Sequence, residues 1–239
     1  MTLKIETILC RAGSMDNYSY LLTDEKNNIS AVIDPSEVAP IENRCKELGI
    51  FPQFLLNTHH HFDHTDANLP LKQKYDAKIV APAAEINKIS GVDIAVSDRD
   101  TFKIGESEAK IIGVAGHTIG HVLYYFPQDR TLFTGDTLFN LCIGGIFEGT
   151  PEQMWESLQK IKALPDDVLF YPGHEYTIHG LQTSMYFAKN KDAMQKYAAN
   201  AIEKINRGQP VSPVLLKDEK LCNPYLAAES YEEFLNLVS

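Results

Sequence analysis

The chain has 239 residues, 44% of them hydrophobic, enough for one large core or one core with an appendage. Its 22 Lys plus Arg against 32 Asp plus Glu give a formal charge of -10, which opposes nucleic-acid binding, a function that relies on clustered cations. No run of 18 apolar residues occurs, so no transmembrane helix is expected, and Met1-Thr2-Leu3-Lys4-Ile5-Glu6 lacks the basic flank and apolar core of a signal peptide. Cys10, Cys45, Cys142 and Cys222 are scattered without metal-type spacing, so a cytoplasmic protein with reduced thiols is expected.

Along the chain, apolar alternation predicts strands near 2 to 8, 17 to 23 and 29 to 34. Val38, Ile41, Cys45 and Leu48 then keep helical spacing, with Gly49 placed to stop the helix. Further strands are predicted near 52 to 58, 108 to 114, 121 to 126 and 131 to 135. Thr150-Pro151-Glu152-Gln153 has the form of a capping box with proline at the first helical position, opening a helix in which Met154, Leu158 and Ile161 share a face. One more strand is predicted near 168 to 172. From about 178 to 207 the pattern is helical: Met194, Tyr197, Ala198, Ala201 and Ile205 form one stripe, ended by Gly208 and Pro210.

The chemistry-bearing residues gather where strands end. Thr58-His59-His60-His61-Phe62-Asp63-His64 follows the apolar run Phe54-Leu55-Leu56, and packing does not account for it. On an extended chain alternate side chains share a face, so His59, His61 and Asp63 are expected to converge, with His60 and Phe62 pointing away and His64 entering from the next turn. Three His and one Asp in six residues suit one or two divalent ions. Three later strand-like runs each end in a glycine and a polar residue: Gly116-His117, Gly135-Asp136 and Gly173-His174. Each alone reads as a turn; with the first cluster they make seven potential ligands. Thr58 and Asp66 are candidates to hydrogen-bond the ligands from behind. His121 reads as packing or a support to a ligand, and His179 as a helix-surface residue.

At these residues the chain resembles the metallo-β-lactamase superfamily, marked by His-x-His-x-Asp-His with distant His, Asp and His, and within it glyoxalase II, the hydroxyacylglutathione hydrolase family. The resemblance runs nearly end to end. It is carried by Asp16-Asn17-Tyr18-Ser19-Tyr20-Leu21-Leu22, the 58 to 64 segment, Gly116-His117-Thr118 and Thr134-Gly135-Asp136-Thr137-Leu138-Phe139. The more specific segments are Phe147-Glu148-Gly149-Thr150-Pro151-Glu152-Gln153-Met154 and Gly173-His174-Glu175-Tyr176-Thr177, followed by Asn223-Pro224-Tyr225-Leu226 near the end.

The resemblance implies an α/β fold, an αβ/βα sandwich of two mixed β-sheets flanked by helices, with a small C-terminal helical domain. It places a catalytic domain at 1–174 and the helical domain at 175–239. It further implies that His59, His61 and His117 hold one divalent ion, Asp63, His64 and His174 a second, and that Asp136 bridges them. Imidazole and carboxylate ligands suit zinc first and also accept iron or manganese. The implied activity is hydrolysis of a glutathione thioester by a monomeric enzyme, with Asp63 and Asp136 orienting the nucleophile. A thiolate leaving group, with a conjugate-acid pKa near 8.5, needs little general-acid help.

The substrate-binding candidates are Gly144, Gly145, Phe147 and Tyr176. Glyoxalase II typically carries Arg or Lys where this chain has Gly145, an Asn where it has Gly180, and further basic residues after the Asn-Pro-Phe-Leu-type segment, where Glu229 and the tail are acidic. Two readings of the substrate follow: a glutathione thioester bound weakly, or a less anionic thioester, ester or lactam. An iron-dependent redox enzyme of the same fold, such as a persulfide dioxygenase, is a further alternative, disfavoured by the seven matched ligands.

Overall fold

The computed structural model describes residues 3–238 and divides into two compact units: the residues up to Gly113 with Gly120–Thr131, and Val114–Ile119 with the residues from Leu132 onward. In the first unit, β1 (Leu3–Cys10), β2 (Asn17–Asp24) and β3 (Ile29–Ile33) pair antiparallel, with Leu3 opposite Asp24 and Tyr20 opposite Ile33. From β3 the pairing turns parallel through β4 (Phe54–Leu56), β5 (Lys78–Pro82) and β6 (Val92–Val96), completing a six-stranded sheet in sequence order. Parallel neighbours need a crossover. α1 (Val38–Leu48) provides the one from β3 to β4. The second lies within α2 (Phe62–Thr65) and α3 (Asn68–Tyr75), between β4 and β5. The unit is completed by a meander of β7 (Thr101–Ile104), β8 (Ser107–Gly113) and β9 (Val122–Phe126).

The helix α1 forms as its spacing requires: Ile41 and Cys45 are buried, and Gly49 ends it with φ of 67° in the left-handed region, where glycine carries no Cβ penalty. Its inner face meets Leu21, Val32, Leu55 and Ile79 in the main core of this unit. Burial of about 25 cal/mol per Å² of such apolar surface is what holds the crossover to the sheet.

In the second unit, β10 (Thr131–Gly135), β11 (Leu138–Phe139) and β12 (Cys142–Ile143) come first, the last two forming a short hairpin. α4 (Pro151–Lys162) opens with the expected capping box, the Thr150 side chain accepting from Gln153 N–H and Gln153 reaching back to Thr150 N–H. β13 (Leu169–Pro172) lies between β10 and β14 (Val214–Leu215), antiparallel to the latter. The helical tail comprises α5 (Thr177–Phe187), α6 (Lys191–Asn206), α7 (Leu216–Cys222), α8 (Pro224–Ala227) and α9 (Tyr231–Val238). Its core is Leu181, Met194, Ala198, Ala201, Val211 and Cys222, into which Leu141 inserts from the hairpin.

Differences from the sequence expectations have local causes. The first strand runs on to Cys10, and Thr2 lies outside the described residues. The strand expected over 52 to 58 stops at Leu56: Asn57 N–H makes the last bond to β5, at the Val80 carbonyl, and Thr58 N–H goes to the Asp34 carboxylate instead of continuing the ladder. His59 and His61 therefore sit on irregular backbone, and Asp63 and His64 on α2, so strand parity does not govern which way they face. No helix among the described residues is long and apolar enough to cross a membrane.

Candidate metal-binding site

Asp34 follows β3 and is buried, with φ of 48°. Its Oδ1 accepts from Thr58 N–H (2.7 Å), and its Oδ2 accepts from Thr58 Oγ1 (2.7 Å) and from His64 Nδ1 (3.1 Å). Thr58 Oγ1 also lies 3.0 Å from His59 Nδ1. Because the Thr58 hydroxyl hydrogen is directed to Asp34, its oxygen accepts from His59 Nδ1–H. One carboxylate thus fixes the tautomer of two imidazoles and leaves Nε2 as the lone-pair nitrogen of each. The sequence reading named Thr58 but not Asp34, whose only signal was a strand-end aspartate like Asp136.

Around this support the first cluster converges. The His59 ring is centred 4.7 Å from His61 and 4.3 Å from His64. His121, buried, stacks on His59 at 4.8 Å with 18° between planes. Asp63 is held by Asn17, whose Nδ2 donates to its Oδ2 at 2.8 Å and to its carbonyl at 3.2 Å. Asp63 Oδ2 then lies 3.3 Å from His64 Nε2. His60 leaves the cluster by pairing its Nδ1 with Glu85 Oε2 at 3.0 Å. Asp66 does not support a ligand but pairs with Arg11.

The second unit assembles His117, Asp136 and His174. Asp136 Oδ2 lies 3.4 Å from His117 Nε2 and 3.3 Å from His174 Nε2. His117 Nδ1 donates to the Gly145 carbonyl at 2.8 Å, which again leaves Nε2 as the acceptor. Gly144 permits this: a Cβ there would stand 1.8 Å from the Asp136 carbonyl oxygen and 3.0 Å from His117 Nδ1. His174 stacks on Tyr176 at 4.6 Å with 13° between planes, and Phe139 meets both rings edge-on. Phe147, 71% exposed, has its ring 5.1 Å from His117. Gly180 abuts the hairpin, where a Cβ would meet the Asn140 carbonyl at 2.4 Å, so this backbone leaves no room for asparagine. His179 is on the exposed face of α5, as expected.

Both units place a lone-pair imidazole nitrogen against a carboxylate oxygen: His64 with Asp63, and His117 with Asp136. The separations exceed the roughly 2.7–2.9 Å of a charge-assisted hydrogen bond. With Nδ1–H committed elsewhere, each pair sets an imidazole acceptor against a carboxylate; Asn17 Nδ2 reaches both members of the first, 3.5 Å from His64 Nε2 and 2.8 Å from Asp63 Oδ2, and a shared cation would relieve the repulsion in the second. The donor set of imidazole nitrogen and carboxylate oxygen therefore fits divalent metal ions. The cysteines take no part: burial raises Cys10, pushes Cys45 and Cys222 up to about 11 and Cys142 to about 12, keeping them as neutral thiols.

Comparison with known proteins agrees with this chemistry. The family model of the metallo-beta-lactamase superfamily matches residues 16–174, and that of the hydroxyacylglutathione hydrolase C-terminus matches residues 175–235. A hydroxyacylglutathione hydrolase of Pelagibacter ubique is 39% identical over 235 residues, covering 98% of this chain and 97% of its own. Another, of a Chelativorans species, is 40% identical over 227 residues, covering 95% and 88%. The crystal structure of ETHE1 from Myxococcus xanthus matches with a TM-score of 0.74 at 24% identity, covering 98% of this chain and 89% of that one, a likeness of fold.

Proposed function

The chain belongs to the metallo-β-lactamase superfamily and, within it, to the hydroxyacylglutathione hydrolase (glyoxalase II) family, and on that premise we propose that it hydrolyses S-D-lactoylglutathione to D-lactate and glutathione. It has the α/β fold of that superfamily, two mixed sheets flanked by helices with a C-terminal helical domain, and is a metal-dependent thioester hydrolase. We assign residues 1–174 to the catalytic domain and 175–239 to the helical one, and take the protein to be a cytoplasmic monomer.

The observation that carries the reading is the gathering of buried imidazole nitrogens on carboxylate oxygens, His64 on Asp63 and His117 and His174 on Asp136. By the family pattern His59, His61 and His117 would hold one ion, Asp63, His64 and His174 the other, and Asp136 would contribute to both. Zinc is the first candidate, with iron or manganese accepted by the same donors. Divalent ions supply Lewis acidity there, lowering the pKa of water from about 16 towards 7 and offsetting negative charge that develops on the carbonyl oxygen.

The chain's own residues do the rest. Asp34 and Thr58 fix the Nδ1–H of His64 and His59, and the Gly145 carbonyl fixes that of His117, so ligand orientation is settled before substrate arrives. Asp63 and Asp136 accept a hydrogen bond from the nucleophile and aim its lone pair. A bond forms from oxygen to the thioester carbon, the C–S bond breaks, and the electron pair leaves with sulfur as thiolate. No acid is required for a leaving group whose conjugate acid has a pKa near 8.5. Tyr176, held against His174, the backbone of Gly144 and Gly145, and the exposed ring of Phe147 line the proposed substrate position.

Gly145 bears no cation for a glutathione carboxylate. A missing charge-assisted contact weakens binding by about 1.5 to 3 kcal/mol, roughly ten- to a hundredfold. Hydrolysis of S-lactoylglutathione is therefore expected with an elevated KM and intact kcat, and Gly145→Arg is expected to lower KM. The atoms nearest a Cβ at 145 belong to the exposed Phe147 ring, at 2.7 Å, which can swing aside. A micromolar KM in the wild type, or a KM indifferent to Gly145→Arg, refutes the weakened-binding reading. Inactivity on glutathione thioesters with turnover of another thioester, ester or lactam selects the less anionic substrate instead.

A further inference from the structure

The hairpin of β11 and β12 turns at Asn140 and Leu141, and Leu141 has φ of 63°, a left-handed conformation that a branched side chain adopts only when its surroundings impose it. The surroundings come from the helical tail. Leu141 N–H donates to Glu219 Oε2 at 2.8 Å, and the Leu141 carbonyl accepts from Ser184 Oγ. Asn223 Nδ2 donates to the carbonyls of Phe139 (3.4 Å) and Cys142 (3.1 Å) and to Glu219 Oε2 (3.0 Å). Asn140 is held by Thr177 and Ser212. The Leu141 side chain is fully buried in the tail's core.

Glu219 organises this grip. Its side chain is buried on α7, and besides Leu141 and Asn223 it accepts from Tyr197 Oη at 2.6 Å. Burying a carboxyl costs several kcal/mol unless it is hydrogen-bonded, and a surface-seeking residue in this position has no packing value of its own. What it holds leads to the ligands at both ends. Asp136 enters the hairpin two residues before β11, and Gly144 and Gly145 leave it directly after β12. The Gly145 carbonyl carries His117 Nδ1, and Gly144 lies against the Asp136 backbone.

We propose that Glu219 is a positioning residue for the metal ligands Asp136 and His117, acting through the clamped 139–142 turn, so that the helical tail sets the metal affinity of the catalytic centre. This rests on the assignment of Asp136 and His117 as ligands. Glu219 touches neither the ligands nor the proposed substrate position; its effect passes through the backbone of the turn to the Gly145 carbonyl and the Asp136 main chain.

The test compares full-length wild type, Glu219→Ala and Glu219→Gln. Zinc affinity is measured against a competing chelator, hydrogen exchange over residues 138–145 by mass spectrometry, and kcat and KM at limiting and saturating zinc. Glu219→Ala is expected to weaken zinc binding by about tenfold or more, the range seen when a ligand's supporting group is removed. It is also expected to speed exchange over 138–145, and to lower kcat at limiting zinc in a way that excess zinc restores, with KM unchanged. Glu219→Gln keeps an oxygen for Leu141 N–H and an amide to donate to the Tyr197 oxygen, and is expected to return zinc affinity to within about threefold. Should Glu219→Ala not fold, Ser184→Ala removes only the bond to the Leu141 carbonyl, and the same directions are expected at smaller size. Zinc affinity that ignores these substitutions while the turn exchanges faster overturns the coupling, as does a Gln variant no better than Ala. A wild type that binds no zinc overturns the ligand reading itself and the coupling with it.

Discussion

Replacing Asp34 by Asn changes one atom in a buried side chain, yet it is expected to disable two of the proposed metal ligands, His59 and His64. The carboxylate accepts three hydrogen bonds, from Thr58 N–H, Thr58 Oγ1 and His64 Nδ1. An asparagine must point its oxygen at the Thr58 backbone N–H, because that donor cannot reverse. Its NH2 then stands where Oδ2 stood, facing a hydroxyl and an imidazole N–H. Relief requires His64 to accept at Nδ1 and carry its proton on Nε2, and Thr58 to turn its hydroxyl hydrogen towards His59 with the same result there. Each affected ligand loses about ten- to a hundredfold in metal affinity; with two affected, a loss of at least about a hundredfold, near 3 kcal/mol, is expected. Calorimetric zinc titration against a chelator measures it, with circular dichroism confirming the fold. An Asn variant that binds zinc as tightly as the wild type would refute the tautomer argument.

Further outcomes follow from the same geometry. Asp136→Ala is expected to abolish turnover by disrupting the nucleophile while apparent substrate binding persists, as kcat and inhibitor titrations would show; near-normal turnover sinks the mechanism. His60→Ala, which removes one partner of buried Glu85, is its control: stability should fall by about 1–3 kcal/mol with turnover little changed, measured by urea unfolding and steady-state kinetics. Elemental analysis of the loaded protein is expected to find two divalent ions per chain, and one ion at saturation contradicts the seven-ligand assignment. Glu219 is raised from 4.5 to about 7 by burial, amid Tyr197 on α6, Asp218 and Cys222 on its own helix and Cys142 on β12. The folded state therefore holds this proton more tightly than the unfolded one. The associated stability, about 3 kcal/mol, is complete below pH 4.5 and lost as pH rises through 7. Denaturant unfolding across that window should show the wild type losing stability relative to Glu219→Gln as pH rises, and a pH-independent difference excludes it.

The His and Asp groups that could hold a metal were legible because such side chains are expensive to bury without a purpose: four His and one Asp within six residues have no packing explanation. The helices α1 and α4 were legible from their caps, Gly49 and the Thr150–Gln153 box, where local chemistry decides the backbone. The strands β5, β6 and β7 were not, since Lys78, Asp93 and Lys103 interrupt short apolar runs, and Asp93 owes its place to Lys72 and Ile79 N–H, partners distant in sequence. Alternation was the wrong guide after Leu56, because a carboxylate 24 residues earlier captures Thr58 N–H and ends the strand. Asp34 falls at the end of the strand predicted over 29 to 34, and nothing in its neighbours marks the role it takes. Gly145 was legible as a missing cation, whereas its contribution to His117 is made by a backbone carbonyl, which the residue type does not disclose. Glu219 on a short helix reads as solvent-facing until the hairpin that it clamps is in view.

The most direct test of the account is hydrolysis of S-lactoylglutathione by the full chain after chelator treatment and after reloading with zinc, followed through the thioester absorbance and free thiol release. The chelated protein is expected to be inactive and the reloaded protein to release glutathione and lactate in equal amounts with saturable kinetics; a fully zinc-loaded protein that leaves the thioester intact would contradict it.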